Sequence, residues 1–319
     1  MWFVYALVTL LFWAVADLFY KIGAKEEDKY SHLKTGIMVG LVMGVHATIY
    51  LLLNGVDFVF FDLIRYLPVS FFYIASMVIG YKGLRYLELS IASPIQNCSG
   101  VITSILLLLI FSETLGVLDV IGIVVIGIGV TYLSVLERKS QKREKALEKK
   151  KLKEERKKDK FSKFKKKEKV KKIATFAALI FPLLYCVLDG AGTFLDAIYL
   201  DKLELIGEDP ALIAYEYTFF IYGFVLFIYL KLFKKEEIGV FKVKSRLFAA
   251  IFETLGQFFY VFAISGNSTL TCPIIASYSI GSVLLSRIFL KEKLSLGEYI
   301  AIFIVLSGIV ILGISEGLA

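Results

Sequence analysis

"SIASPIQNCSGVITSILLLLIFSETLGVLDVIGIVVIGIGVTYL" occupies residues 90–133. It consists of two long apolar runs parted by a short turn that carries Glu113 and Asp119. Each run is close to the ~20 residues a helix needs to cross a hydrocarbon core of about 30 Å. Runs of this length exceed barrel strands, and backbone groups in lipid must pair within their own segment, so both read as transmembrane helices. Working outward from them, the same criterion finds ten spans, at about 2–20, 33–54, 64–86, 89–111, 117–136, 173–197, 211–232, 246–265, 269–290 and 297–315. The expected fold is an all-α polytopic membrane protein.

Composition agrees with that expectation. A mean hydropathy of +0.72, with 57% hydrophobic and 15% aromatic residues, does not suit a soluble chain of 319 residues. The net charge of +8 is concentrated in one place: residues 137–172, which include "KKDKFSKFKKKEKVKK" at 157–172, hold 20 Lys and Arg against 7 Asp and Glu. The remainder of the chain is net acidic. With ten spans, all of the 37 Lys and Arg except Arg65 and Lys202 fall on one side of the membrane. The bias of Lys and Arg toward the cytoplasm then puts both termini outside and the basic segment inside, in a multi-pass protein of the cytoplasmic membrane. The basic segment reads first as a solvated linker. Phe161 and Phe164 among its lysines also suit contact with anionic lipid; no nucleic acid is expected as a partner. Ala14-Val15-Ala16 has the form of a leader-cleavage site, but no basic region precedes it and the apolar run continues to residue 20, so a retained first span is expected. Cys98, Cys186 and Cys272 lie in apolar runs without paired spacing, as small hydrophobes rather than disulfide or metal ligands.

The chain repeats itself. Shifted by 179 residues, Pro94 meets Pro273, Tyr81 meets Tyr260, Glu113 meets Glu292, Asp119 meets Glu298 and Gly129 meets Gly308. Nearer the start the shift is 172, so that Trp13 and Asp17 of "FWAVAD" meet Tyr185 and Asp189 of "LYCVLD". Five spans per half give the halves opposite orientations. This is the inverted repeat of many secondary transporters, whose substrate site is near the midplane between repeats. Three segments are expected: a first five-helix repeat at 1–136, the basic cytoplasmic linker at 137–172, and a second five-helix repeat at 173–319.

The opening stretch and its echo, "STLTCPIIASYSIGSVLLSRIFLKEKLSLGEYIAIFIVLSGIVIL" at 268–312, together with the short first helix bearing Trp13, resemble the drug/metabolite transporter superfamily and, more closely, its ten-helix EamA-like members. The resemblance covers the chain outside 137–172. It is most specific in the Pro-containing fourth and ninth spans, each followed by an acidic E-x-L at Glu113–Leu115 and Glu292–Leu294. It implies a carrier of amino acids, metabolites or nucleotide-linked sugars. In the small multidrug branch an acidic residue on the first helix couples cation and proton movement, and Asp17 resembles that residue. The long charged linker departs from the family's usual short connection.

Ionisable residues within spans are costly and mark candidate sites. Trp13, Asp17 and Lys21 share a helix face at i, i+4, i+8, where Lys21 can snorkel or pair with Asp17. Tyr185 and Asp189 repeat the pattern, followed by Gly190 and Gly192, where the helix can break or be approached closely. Glu253, Gln257 and Tyr260 form another face at i, i+4, i+7, with Glu253 either a proton-exchanging carboxyl or a hydrated vestibule group. Gln96, Asn97, Ser99, Thr103 and Ser104, and Thr271, Ser277, Tyr278, Ser279 and Ser282, surround the two prolines; they suit either backbone satisfaction or a polar substrate. Glu216 between Tyr215 and Tyr217 reads as an interfacial aromatic cluster, and the lone His46 as a packing histidine.

The candidate pocket and coupling residues are therefore Trp13, Asp17, Tyr81, Asn97, Tyr185, Asp189, Glu253, Gln257, Tyr260 and Tyr278. No catalytic or nucleotide-hydrolysis motif is present, so no enzyme activity, cofactor or metal is expected. Basic residues near the pocket are confined to Lys21, Lys82 and Arg85 at its cytoplasmic edge, which disfavours a phosphate substrate. The expected function is a secondary transporter, working as an exporter of a small metabolite or amino acid with possible proton coupling, as a monomer or homodimer. A lipid or lipid-linked sugar translocase, and a membrane scaffold acting through the basic loop, are the rival readings.

Overall fold

A computed structural model describes residues 1–24, 28–111, 115–136, 180–239, 243–292 and 294–318. The linker at 137–172 with its expected lipid contact, the first residues of the sixth span at 173–179, and Glu113 lie outside the described residues. Helices make up the fold, and no strand occurs among the described residues. In chain order they are α1 (Trp2–Gly23), α2 (Ser31–Asn54), α3 (Phe60–Gly83), α4 (Leu89–Gln96), α5 (Cys98–Phe111), α6 (Val117–Leu136), α7 (Ile180–Ala197), α8 (Glu208–Ile228), α9 (Lys244–Ala276), α10 (Tyr278–Leu285) and α11 (Leu296–Leu318).

Their ends follow from local chemistry. Gly55 closes α2 with a left-handed φ of 59°, a conformation open to a residue without Cβ. The Asp62 carboxylate accepts the Val59 N–H at 3.0 Å at the start of α3, and Glu208 and Asp209 fill the first turn of α8, where negative charge meets the helix dipole. Pro94 ends α4 early, and Asn97 separates it from α5. The Pro94 carbonyl accepts instead from the Ser134 hydroxyl at 2.8 Å and the Cys98 thiol at 3.4 Å.

Nine helical segments among the described residues are long and apolar enough to cross a membrane. One of them, Lys244–Leu290, has 47 residues; drawn straight it would run about 70 Å, more than twice the hydrocarbon thickness. It is two helices joined at Asn267, whose backbone is extended (φ −170°, ψ 91°). The Asn267 side chain accepts the Leu270 N–H at 3.0 Å, and the Asp201 carboxylate accepts the Ser268 N–H at 2.8 Å, so the second helix restarts with two of its orphan donors satisfied.

Helices before residue 137 pack on helices after 179. α1 lies along the first part of α9, α2 along α8, α3 along α7, α5 on α9, and α4 on α10. α6 meets α11 where Gly122 faces Leu312, Gly129 faces Val305 and Gly308 faces Ile126, the close approach that small residues permit in lipid. Tyr66, Leu107, Ile126, Val261 and Val305 are buried between these pairs, whereas Leu52, Leu53, Phe60, Leu109 and Phe303 point outward and are exposed. A surface of large apolar side chains around a polar centre suits lipid rather than water.

Candidate functional site

A cavity of about 800 Å³, counting all space between its wall atoms and including part that is open, lies between the two sets of helices. All ten side chains singled out from sequence line it. α1 supplies Trp13 and Asp17, α3 supplies Tyr81, the α4–α5 junction supplies Asn97, α7 supplies Tyr185 and Asp189, α9 supplies Glu253, Gln257 and Tyr260, and α10 supplies Tyr278.

The carboxyls are held by hydroxyls from other helices. One Asp17 oxygen accepts from Ser93 at 2.6 Å and from Ser282 at 2.7 Å. Asp189 accepts from Ser99 at 2.7 Å, and Thr103 donates to the Gly190 carbonyl beside it at 3.1 Å. Lys21 donates to the carbonyls of Leu84 at 2.9 Å and Leu87 at 2.5 Å, holding the end of α3. Glu253 is 5% exposed in the cavity wall; Tyr81 donates to Tyr20 at 3.0 Å and Tyr20 reaches Glu253.

Aromatic rings form the walls. The Trp13 indole lies 5.0 Å from the Tyr260 ring and 5.8 Å from that of Tyr278, centroid to centroid, with Tyr278 edge-on at 71°. It fits because Gly256 has no side chain: a methyl there would stand 2.5 Å from the indole nitrogen. Gly80 accommodates the Tyr185 ring in the same way, with 2.7 Å left for an added methyl. The helix around Gly190 and Gly192 does not break; Gly192 lets Phe72 and Tyr73 come close.

The hydroxyls near the prolines divide between two tasks. Ser104, Thr271, Ser277 and Ser279 donate to backbone carbonyls, the structural role expected beside helix breaks. Ser93, Ser99 and Ser282 turn to the carboxyls. Glu216 is not an interfacial group: its side chain is wholly buried and bonds His46 at 2.8 Å across α2 and α8, outside the cavity wall. The three cysteines are free thiols, with Cys272 buried in the wall.

Tyr20, Tyr73, Thr193 and Tyr215, absent from the residues expected on sequence grounds, also line the cavity, and Asp196 lies just beyond it. Asp196 has no exposed surface and accepts from the Tyr66 hydroxyl and, at 3.5 Å, from Tyr73. Tyr73 also meets Tyr260 hydroxyl to hydroxyl at 2.6 Å and Thr193 at 3.0 Å. Spacing carries a signal for three of these residues. Thr193 and Asp196 follow Asp189 at i+4 and i+7, and Tyr20 follows Trp13 at i+7, so each continues a face already marked.

The EamA-like transporter family model matches residues 1–135 and 179–314, most of the chain on either side of the basic segment. The chain belongs to the EamA-like transporter family. It is therefore a multi-pass membrane transporter of the drug/metabolite type. No curated protein matches the sequence. Among 25 matching chains of solved structures, one crystal structure of a protein superposes with a TM-score of 0.63 over 98% of this chain and 96% of its own, at 12% identity. At that identity the likeness speaks for the fold alone.

Proposed function

We propose that this EamA-family chain is a secondary transporter that exports a small metabolite or amino acid by alternating access. Two inverted five-helix repeats, 1–136 and 173–319, rock about the cavity, and Asp17 and Asp189 exchange protons or cations as they do so. The observation that carries this reading is that the cavity wall draws on helices from both ends of the chain. Each half contributes a carboxyl, and Asp17 in the first half takes a hydroxyl from Ser282 in the second, while Asp189 in the second takes one from Ser99 in the first. Motion of one half against the other changes the partners of both carboxyls, which is the coupling such a carrier needs. The pairing of first-half with second-half helices, and the division of Lys244–Leu290 at Asn267 into two crossings, support the ten-span inverted repeat. The charge asymmetry of the loops supports termini outside and residues 137–172 in the cytoplasm of a cell-membrane protein.

The test compares spent medium and cell extracts by untargeted mass spectrometry for cells expressing wild type, Asp17→Asn or no carrier at matched membrane levels. A solute that accumulates outside with wild type and not with Asp17→Asn is the expected result. No solute distinguishing the three strains would overturn the reading and favour a lipid translocase or a scaffold.

A further inference from the structure

The charge of the cavity wall points to a narrower ligand class than metabolites at large. Asp17, Asp189 and Glu253 face one space, and among the described residues no lysine, arginine or histidine lines it. Three carboxyls around one desolvated cavity oppose one another's ionisation, and a positive ligand favours their charged forms. A bare metal ion is not what the geometry suits: among the described residues no three His, Cys, Asp or Glu side chains gather closely enough to hold one. The charge is instead spread along walls whose intervening surface is aromatic. Trp13 and the edge-on Tyr278 meet at a corner, with ring centroids 5.8 Å apart, and such ring faces attract an organic ammonium.

A second observation is independent of the carboxyls. Gln257, one turn beyond Glu253 on α9, is 2% exposed and lines the same cavity. Its amide nitrogen has no hydrogen-bond partner. Buried donors are nearly always paired, so this one awaits an acceptor on whatever fills the space. An anionic oxygen would meet three protein carboxyls there, whereas a hydroxyl, ester or amide oxygen would not.

We propose that the cavity binds an organic ammonium ion that also carries a neutral oxygen acceptor, in the chemical class of amino alcohols and amino-acid amides or esters. Asp17, Asp189 and Glu253 balance its charge, the Trp13–Tyr278 corner takes its ammonium group, and Gln257 donates to its oxygen. This rests on the transport reading above and narrows it.

The experiment titrates the purified full-length protein with four probes that share one benzyl body: phenylalaninol (ammonium and hydroxyl), phenethylamine (ammonium alone), phenylalanine (zwitterion) and phenyllactate (anion and hydroxyl). Trp13 emission reports binding in a Trp2→Phe background. Phenylalaninol is expected to bind about tenfold tighter than phenylalanine, and phenyllactate not to bind. Asp17→Asn weakens both amines about tenfold, and Gln257→Met removes the advantage of phenylalaninol over phenethylamine. Should either variant misfold, the ranking of the four probes on the background protein decides alone. Phenylalanine or phenyllactate binding as tightly as the amines overturns the proposal, as does the absence of any response from protein that melts cooperatively. Vesicle uptake separates the two readings. Movement of a zwitterion or anion keeps transport and overturns the ammonium class, whereas amine binding without movement keeps the class and overturns transport.

Discussion

At the end of the cavity where α3 begins and α7 finishes, Tyr73 and Tyr260 touch through their hydroxyls at 2.6 Å, and behind them the wholly buried Asp196 takes the hydroxyls of Tyr66 and Tyr73. At the opposite end, where α1 finishes and α9 begins, Tyr81 bonds Tyr20 at 3.0 Å, and polar contacts continue outward to ion pairs of Asp28 with Lys34 at 3.2 Å and Arg246 at 3.1 Å. The first end carries a carboxyl and phenols that are all buried. The second carries a phenol pair backed by ion pairs in which Lys34 and Arg246 are buried and Asp28 is part-exposed. A buried network of this kind is costly to disturb because each abandoned partner stays desolvated, while ion pairs with one part-exposed member are weakened by solvent and screened by salt. On the alternating-access reading proposed above, the Asp196 end has the higher intrinsic cost of opening, and the Asp28 end is the one that answers to pH and ionic strength.

The comparison is tested most severely by Asp196→Ala. Removing this carboxyl strands the buried Tyr66 hydroxyl and takes one of three partners from Tyr73, and a loss of about 1–3 kcal/mol is expected, read as a lowered melting temperature of the detergent-purified protein. A variant as stable as wild type would break the claim that this end is an internal lock. A milder change, Tyr73→Phe, removes the bridge to Tyr260 and Thr193 and should cost about 1 kcal/mol. Its more telling effect is on access. With Cys98 and Cys186 replaced by alanine, Cys272 in the cavity wall should react faster with a water-soluble maleimide applied from the Asp196 side. Equal rates in the two proteins would show that the bridge does not govern opening.

The smallest effect belongs to Asp28. Burial alone pushes its carboxyl up, but hydrogen bonds from Lys34 and Arg246 outweigh that and hold it below the ordinary 3.8. A depressed carboxyl contributes stability that is complete above about pH 4 and is lost as pH falls through the lowered value. Melting temperatures of wild type and Asp28→Asn should therefore differ slightly near neutrality, by less than about 1 kcal/mol in stability, and converge on acidification or in high salt. A gap that stays constant with pH would remove the electrostatic account of this end.

Much of the site is legible in the sequence. Asp17, Asp189 and Glu253 stand out because a carboxyl in an apolar run is expensive wherever it points, and Trp13, Gln257 and Tyr260 because helical spacing puts them on the same faces. Asp196 does not, although it too is a carboxyl in the sixth span. It falls near the expected end of that span at 197, where a carboxylate reads as an interfacial group; the helical segment in fact continues through Lys202, which carries Asp196 inside. Glu216 misleads for the same reason. Position along an apolar run estimates depth, but whether a residue near the end is buried depends on the helix beside it, here His46 on α2.

Run length, transfer cost and residue spacing are local to each segment. They suffice for the class of molecule, its apolar helices and the family resemblance, all of which can be read along the chain. Which partner each polar group takes is not local, and packing alone selects it. Lys21 and Asp17 are one turn apart, yet Lys21 bonds the end of α3, while Asp17 bonds Ser93 and Ser282, the latter 265 positions away. Packing also leaves the Gln257 amide nitrogen without a partner. A hydrogen bond needs its atoms within about 3 Å and in line, and that condition is set by how α1, α4, α9 and α10 are packed, not by the chemistry of any one of them.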